Sequence, residues 1–293
     1  MTKELKAHLY VLLATFLVGA SFIISEKLSG IIDPISITLY RFVIASVCLV
    51  PLIFFKQKYR VKLKSTFKRA MIISFFYSVF FIGMFNALEY TSAINIGTIF
   101  TLTPLLTGIL SIFIFKQYIS KKQYLIYIIG ILGTCIVVFK GDLSLFLSMS
   151  LNKGDIIFLF SIISMALYLI STKLFYKEDD ELLVVVFLTL IGGIIWMGLV
   201  LLSLDIPLGW EKIQGELFIY MLYLSIAATL VTVYLFQRTT IVLGPNKVMA
   251  YSYLNPATVA ILLFIFEAKI ISFEIIIGIL ISSIATFILL KKR

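Results

Sequence analysis

Ten apolar segments, separated by short polar connections, follow one another along the chain. Each is close to the ~20 residues that a helix needs to cross a bilayer. Lipid-exposed backbone must satisfy its own hydrogen bonds, so every segment is predicted to be a helix. The segments are Leu9–Ile24, Ile35–Phe55, Ala70–Leu88, Ile94–Phe115, Tyr124–Phe139, Ile156–Ser171, Leu182–Leu202, Leu217–Phe236, Val248–Phe266 and Phe273–Leu290. The pattern predicts an all-α integral membrane protein with ten transmembrane helices.

Composition agrees with a protein that lies in a lipid bilayer. Of the 293 residues, 61% are hydrophobic and 14% are charged, whereas soluble domains average about 45–50% and about 25%. The net charge of +10 could indicate a nucleic-acid partner. Most of the lysines and arginines lie in the connections between apolar segments, which is typical of membrane topology instead. No nucleic-acid partner is expected.

The same lysines and arginines predict the orientation of the chain. The connections on the side that holds the N-terminus carry 19 of them, and the opposite connections carry 5. Cytoplasmic connections are enriched in Lys and Arg, so both termini are predicted to be cytoplasmic. The predicted location is the cell inner (plasma) membrane.

Two prolines in the middle of apolar segments indicate a duplication. Pro104 lies in the fourth segment and Pro256 in the ninth, 152 residues apart, and the same offset places Ser120 on Ser272. Five segments fall in residues 1–142 and five in residues 152–293. An odd number of spans reverses the second copy, so the fold is predicted to be two inverted five-helix repeats. Secondary transporters are built in this way, with the substrate site at the repeat interface.

The two prolines are also predicted helix kinks. Neither can donate a hydrogen bond to the carbonyl four residues earlier, which belongs to Phe100 or to Ser252. Each helix is therefore expected to bend or loosen at mid-membrane. A water-filled cavity with substrate would supply partners for the freed carbonyls. The alternative is a kink needed only for packing.

Polar side chains around the prolines are the candidate substrate ligands. Those of the fourth segment recur every three residues and share one helical face. Each could instead bond its own backbone or a neighbouring helix. The candidates are Asn95, Thr98, Thr101, Tyr168, Tyr234, Tyr251, Ser252 and Asn255, with Ser164, Thr229 and Thr232 as weaker ones. A cavity lined by them carries little charge, which favours a neutral or zwitterionic metabolite.

Arg41 is the one charge well inside a predicted span. It lies about 9 Å from the start of the second segment at 1.5 Å per residue. A charge at this depth is costly and should be paired or reach the surface. Glu26, Asp33 and Glu89 lie at helix ends on the same side and could pair with it. Arg41, Glu26 and Glu89 are therefore assigned a gating or structural role, and a role for Arg41 with a substrate carboxylate stays open.

Several other function classes do not fit. The single histidine, His8, rules out a Ser–His pair or a His-Glu-x-x-His motif, so an enzyme is not expected. With Cys48 and Cys135 in separate spans, neither a metal site nor a cofactor is predicted. The Gly-x-x-x-x-Gly-Lys loop of nucleotide-driven pumps is missing from the sequence. A channel or receptor remains the alternative from a different class.

Short motifs in both halves carry a family resemblance. They are Gly19-Ala20-Ser21, Asp33-Pro34, Tyr40-Arg41-Phe42, the run from Asn86 to Ala93, Pro104 and Gly133, then Gly154-Asp155, Ala166-Leu167-Tyr168, Asn255-Pro256 and Gly278. In this order they resemble the EamA branch of the drug/metabolite transporter superfamily across nearly the whole chain. That family usually has a glutamate thirteen residues after each proline, where this chain has Gln117 and Lys269.

The resemblance implies an exporter of small polar metabolites such as amino acids. An uptake carrier or an exchanger is the alternative within the same class. The expected partners are a small-molecule substrate and the lipid bilayer. A proton or a counter-substrate as coupling partner, and a monomer or homodimer as assembly, are left open.

Overall fold

The computed structural model describes residues 2–91, 93–116, 118–139, 141–142, 144, 152–267 and 272–291. Within these residues, ten helices are long and apolar enough to cross a bilayer, which confirms the predicted number. They are α1 Lys3–Leu28, α2 Pro34–Phe55, α3 Gln57–Leu88, α4 Asn95–Phe115, α5 Lys121–Phe139, α6 Lys153–Phe175, α7 Leu182–Leu204, α8 Glu216–Leu243, α9 Pro245–Phe266 and α10 Phe273–Lys291. We call the side at which α1 begins the N-terminal side, and the opposite one the far side.

Local sequence signals set several helix starts. The Asp33 carboxylate caps α2 by accepting from the backbone N–H of Ile35 at 2.8 Å, and Pro34 occupies the first turn, where its missing N–H does no harm. Asn152 and Asp155 form a reciprocal capping box at the start of α6. These caps fix where α2 and α6 enter the bundle from the far side.

Helix α3 is longer than the apolar segment that predicted it. It begins at Gln57 rather than Ala70 and has 32 residues, or about 48 Å at 1.5 Å per residue. A hydrocarbon core is about 30 Å thick. The basic residues before Ala70 therefore continue the helix beyond the membrane on the N-terminal side.

The helix contacts follow a two-fold pattern that relates the two halves. Helix α2 packs on its equivalent α7, and α5 packs on its equivalent α10. The pair α3–α6 has its counterpart in α8–α1, the pair α3–α7 in α8–α2, and the pair α4–α6 in α9–α1. Each half thus completes its packing with the same helices of the other half, as two inverted repeats do.

Helices α5 and α10 cross at two glycines. A Cβ atom built on Gly133 would lie 2.7 Å from the backbone nitrogen of Ser282, and one on Gly278 would lie 2.7 Å from the carbonyl oxygen of Gly133. Side chains at these positions would force the helices apart. Small residues allow such close approach between transmembrane helices.

Helices α4 and α9 are interrupted immediately before their prolines. Helix α4 breaks between Phe100 and Thr103, and α9 tightens into a 3₁₀ turn over Tyr251–Leu254. The Thr103 hydroxyl donates to the Phe100 carbonyl at 2.5 Å, and the Asn255 N–H donates to the Ser252 carbonyl. Both freed carbonyls therefore have partners within their own helices and do not require a wet cavity.

Candidate substrate site between the two repeats

A small cavity lies between helices of both halves. Its walls come from α1, α3 and α4 of the first half and from α6 and α8 of the second. The aromatic residues that line it are Phe22, Tyr77, Phe80, Phe81, Phe100 and Phe236, and the others include Ser21, Ala228 and Thr232. Its volume of about 20 Å³ is enough for about one water molecule and too small for a metabolite. In this structure the cavity therefore has no room for a substrate.

Aromatic packing closes this space. The rings of Phe22 and Phe80 both contact Phe100, with centroids 5.6 and 5.9 Å away, and Tyr77 packs on Phe81 at 4.8 Å. Two hydroxyls of the wall are satisfied within their own helices: Ser21 donates to the carbonyl of Val18 at 2.8 Å, and Thr232 donates to the carbonyl of Ala228 at 2.8 Å. Opening the cavity therefore needs movement of side chains or helices, and it breaks no ion pair among the described residues.

Arg41 of α2 lies beside this cavity. Its side chain is fully buried. Nε donates to the Thr229 hydroxyl of α8 at 3.1 Å, and Nη2 donates to the same oxygen at 2.9 Å. Nη2 also approaches the carbonyls of Leu224 and Ala228, at 3.4 and 3.5 Å, while Nη1 has no hydrogen-bond partner among the described residues. The guanidinium carbon lies 4.4 Å from the centroid of the Phe81 ring.

A local change in helix type presents these acceptors to Arg41. Residues Ile226–Val231 of α8 form a π-helical segment. The Thr229 hydroxyl donates to the carbonyl of Leu224, five residues earlier, at 2.7 Å and accepts from Arg41 at the same time. A π-bulge leaves carbonyls off the regular hydrogen-bond ladder, and such segments are frequent at functional sites.

The pairing expected between Arg41 and an acidic residue is wrong for the described residues. Arg41 lies about 10 Å along α2 from its start, at 1.5 Å per residue. Asp33 caps the helix start, and Glu26 and Glu89 are exposed at helix ends on the far side. Burial and the neighbouring Asp33 raise the pKa of Glu89, while Lys153 opposes the shift. The described acceptors of Arg41 come from α8 and not from these acids.

The predicted residues of α4 contact other helices rather than the cavity. The Asn95 amide lies 3.4 Å from the carboxylate of Asp155, near the far end of α6. The Thr101 hydroxyl donates to the Thr98 carbonyl at 2.6 Å and accepts from Thr134 of α5 at 3.1 Å. The α4 residue that lines the cavity is Phe100.

The predicted residues of α9 are buried against α1. Tyr251 shares a hydrogen bond of 2.8 Å with His8, a residue to which the sequence assigned no role. The Asn255 carbonyl oxygen lies 3.7 Å from a Cβ atom built on Gly19. Both the Ser252 hydroxyl and the Asn255 side-chain oxygen are buried with no hydrogen-bond partner among the described residues.

The two predicted tyrosines lie in different places. Tyr168 of α6 is fully buried, packs on Tyr77 with ring centroids 4.4 Å apart and ring planes tilted by 31°, and lies beside the Gln237 side chain. Tyr234 of α8 lines an open cleft on the N-terminal side, where it accepts a hydrogen bond from Arg238 at 2.5 Å. Tyr168 is therefore one residue away from the cavity, and Tyr234 lies outside it.

Comparison with known proteins agrees with this two-repeat architecture. The sequence profile of the EamA-like transporter family matches residues 5–139 and again residues 152–291. The chain belongs to this family. A solved crystal structure has the same fold, with a TM-score of 0.73 at 16% identity, over 97% of this chain and 96% of that one.

Two transporters of Bacillus subtilis (strain 168) are among its relatives. The uncharacterized transporter YyaM is 27% identical over 291 residues, which cover 94% of this chain and 90% of the relative. The uncharacterized transporter YetK is 24% identical, over 85% of this chain and 74% of its own length. The EamA-like chain is therefore a multi-pass membrane transporter for a small molecule.

Some site residues could not be found from the sequence. Phe81 and Phe100 lie in segments that contain many other phenylalanines and aliphatic residues, so no sequence signal distinguishes a ring of the cavity wall from a lipid-facing ring. Thr229 was a weak candidate, and no sequence signal marks the π-helical segment around it. Gln117 and Lys269, at the family's glutamate positions, lie outside the described residues.

Proposed function

We propose that this protein is a secondary transporter that exports small polar metabolites such as amino acids. The observation that carries the proposal is the closed cavity at the interface of two inverted repeats, with walls from both halves. Rocking of one repeat against the other would open such a space alternately to the two sides. The polar wall groups suit a small polar molecule, and the aromatic ones suit its apolar part.

The polar groups of the interrupted helices supply further substrate contacts in this proposal. Buried polar atoms almost always have hydrogen-bond partners, and the Ser252 hydroxyl and Asn255 side-chain oxygen lack one among the described residues. A substrate that enters when α9 moves away from α1 would provide it. Asn95, Thr98, Thr101, Tyr168, Tyr234 and Tyr251 remain candidate ligands of other states of the transport cycle.

Counterflow in proteoliposomes tests the transport mode. Vesicles loaded with an unlabelled amino acid are diluted into a trace of the same labelled compound, over a panel of amino acids. A carrier accumulates label transiently above its equilibrium level, because the returning site carries labelled substrate inward. A channel equilibrates label without this overshoot, and a receptor moves none, so either result would overturn the proposal.

A matched pair of variants on α9 tests the polar contacts. Asn255→Leu should abolish counterflow while the protein still folds, because it removes a buried oxygen left for the substrate. Thr258→Val is the control, since the Thr258 hydroxyl is satisfied by the Leu254 carbonyl of its own helix at 3.0 Å. Full counterflow activity of Asn255→Leu would show that Asn255 does not bind the substrate.

Cysteine labelling tests the orientation that the charge bias predicts. In a Cys48→Ala, Cys135→Ala background, Ser144→Cys should react with an impermeant thiol reagent in intact cells. Ser65→Cys should react only after lysis. Both residues are exposed, on opposite sides of the bundle. The reverse pattern would invert the orientation, and export would then be tested with vesicles of the opposite sidedness.

A further inference from the structure

Arg41 is a fully buried cation, and the part of the chain that the structure describes places no buried anion beside it. The ion pairs in the described residues involve Lys58, Lys62 and Arg69. Among the described residues, the ionisable side chains that interact with Arg41 electrostatically are the phenols of Tyr77 and Tyr223. No described residue beside Arg41 thus supplies a full negative charge.

The hydrogen bonds of Arg41 also leave it incompletely satisfied. A guanidinium has five N–H donors and keeps its proton in proteins. Here one hydroxyl and two distant carbonyls accept from Nε and Nη2, and Nη1 has no partner among the described residues. A buried charge is strongly unfavourable unless it is paired and hydrogen-bonded. An intramembrane ionisable residue in this state points to a function.

The position of Arg41 connects it to the transport cavity. Phe81, whose ring lies against the guanidinium, lines that cavity, and so does Ala228, whose carbonyl lies 3.5 Å from Nη2. The guanidinium is therefore separated from the cavity by a single layer of side chains. Movement of Phe81, or of the π-helical segment that holds Ala228, would expose Nη1 to a bound molecule.

We propose that Arg41 binds the carboxylate of the transported metabolite, with the apolar part of that metabolite against the aromatic wall formed by Phe22, Phe80 and Phe100. This inference rests on the proposed function and specifies its substrate class: monocarboxylates with an apolar or aromatic body, amino acids of that type included. A carboxylate and a guanidinium form a charge-assisted, bidentate pair. The unpaired Nη1 supplies one arm of this pair, and the Nη2 N–H that now only approaches the Leu224 and Ala228 carbonyls supplies the other. Thr229 keeps its hydrogen bond to Nε.

The test compares four related probes on the purified full-length protein. L-Phenylalanine and 3-phenylpropionate carry the carboxylate, whereas L-phenylalaninamide and phenethylamine lack it. A ligand that binds the folded state raises its melting temperature. The two carboxylates should stabilise the wild type with at least about tenfold higher affinity than the amide and the amine, as expected for loss of one charge-assisted pair.

Variants assign this preference to Arg41. Arg41→Gln should bind all four probes equally weakly, and Arg41→Lys should keep the preference with lower affinity, because an ammonium keeps the charge without the fork. Arg238→Gln is the control, since it removes an arginine from the N-terminal side without touching the cavity. If Arg41→Gln does not fold, the test uses Arg41→Lys and Thr229→Val instead. The proposal then requires that both variants bind the carboxylate probes more weakly than the wild type does.

The outcomes separate this inference from the transport proposal. Equal binding of amide and carboxylate by the wild type, no stabilisation by either carboxylate, or a preference that survives Arg41→Gln would overturn the role of Arg41. Counterflow of a neutral metabolite that is unchanged in Arg41→Gln would keep the transporter and reject the carboxylate site. Carboxylate binding that depends on Arg41, without any counterflow, would keep the carboxylate site and reject the transport proposal.

Discussion

Two arginines of the first repeat have different kinds of partner: Arg69 pairs with a carboxylate, and Arg41 contacts neutral acceptors. Arg69 of α3 forms a two-point pair with Asp180, with nitrogen–oxygen distances of 2.5 and 2.7 Å, and also donates to the carbonyl of Phe175. Its side chain keeps 18% of its surface exposed, while that of Asp180 keeps 1%. Arg41 is more deeply buried, yet its partners are a hydroxyl and carbonyls.

The difference separates a structural charge from a functional one. Arg69 and Asp180 hold the N-terminal half of α3 against the connection between α6 and α7, and each neutralises the other. Arg41 holds α2 to α8 through Thr229 but keeps an uncompensated charge beside the cavity. Buried charges without ionic partners reduce stability, and a site retained for function accepts such a loss.

The largest expected effect on stability comes from breaking the pair between Arg69 and Asp180. Arg69→Gln and Asp180→Asn should each lower the free energy of unfolding by about 3 kcal/mol, because each leaves a poorly solvated charge without its partner. Arg41→Gln should leave it unchanged or raise it, since a buried charge is removed. Thermal unfolding of the three variants in one detergent is the measurement. A loss in Arg41→Gln as large as that in Arg69→Gln would make Arg41 a structural residue.

The sequence predicted what depends on local pattern and missed what depends on packing. The ten helices follow from the apolar segments, and the interruptions of α4 and α9 follow from Pro104 and Pro256. The extra turns of α3 escaped because their basic residues do not look like a membrane span. The Arg41–Thr229 contact joins positions 188 residues apart through a π-helical segment with no sequence signature.

A smaller effect is expected at Thr229. Thr229→Val removes the acceptor of two Arg41 hydrogen bonds and should destabilise the protein by about 1–2 kcal/mol, because the buried guanidinium loses partners. The double variant Arg41→Gln, Thr229→Val should recover most of this loss, since no charge then remains to be satisfied. A double-mutant cycle on thermal stability measures this coupling. Additive losses would show that Thr229 acts independently of Arg41.

Low pH should weaken the ion pair between Arg69 and Asp180 and leave the hydrogen bonds of Arg41 unchanged. Burial alone would raise the pKa of Asp180, but its hydrogen bonds to Arg69 and to the Lys177 backbone outweigh this effect and hold the pKa below its ordinary value. Ionised Asp180 thus stabilises the folded protein at neutral pH, and this contribution is lost as the pH falls through the folded-state pKa. The gap in melting temperature between wild type and Asp180→Asn should narrow below about pH 4. A gap that stays constant as the pH falls through the acid range would contradict the ion pair as its cause.

The smallest effect is expected for an exposed pair beside Arg69. Lys62 and Asp179 lie 2.8 Å apart, with 30% and 70% of their side chains exposed, on the same helix and connection as Arg69 and Asp180. Because water and salt screen exposed pairs, Lys62→Gln should leave the melting temperature unchanged within error. Any shift should vanish in about 1 M salt, where the Debye length is about 3 Å. The loss in Arg69→Gln should persist in that salt, because its pair is shielded from solvent.

If Lys62→Gln instead destabilises the protein as much as Arg69→Gln, burial does not set the strength of these contacts. The absence of an acid beside Arg41 would then carry no information about its role.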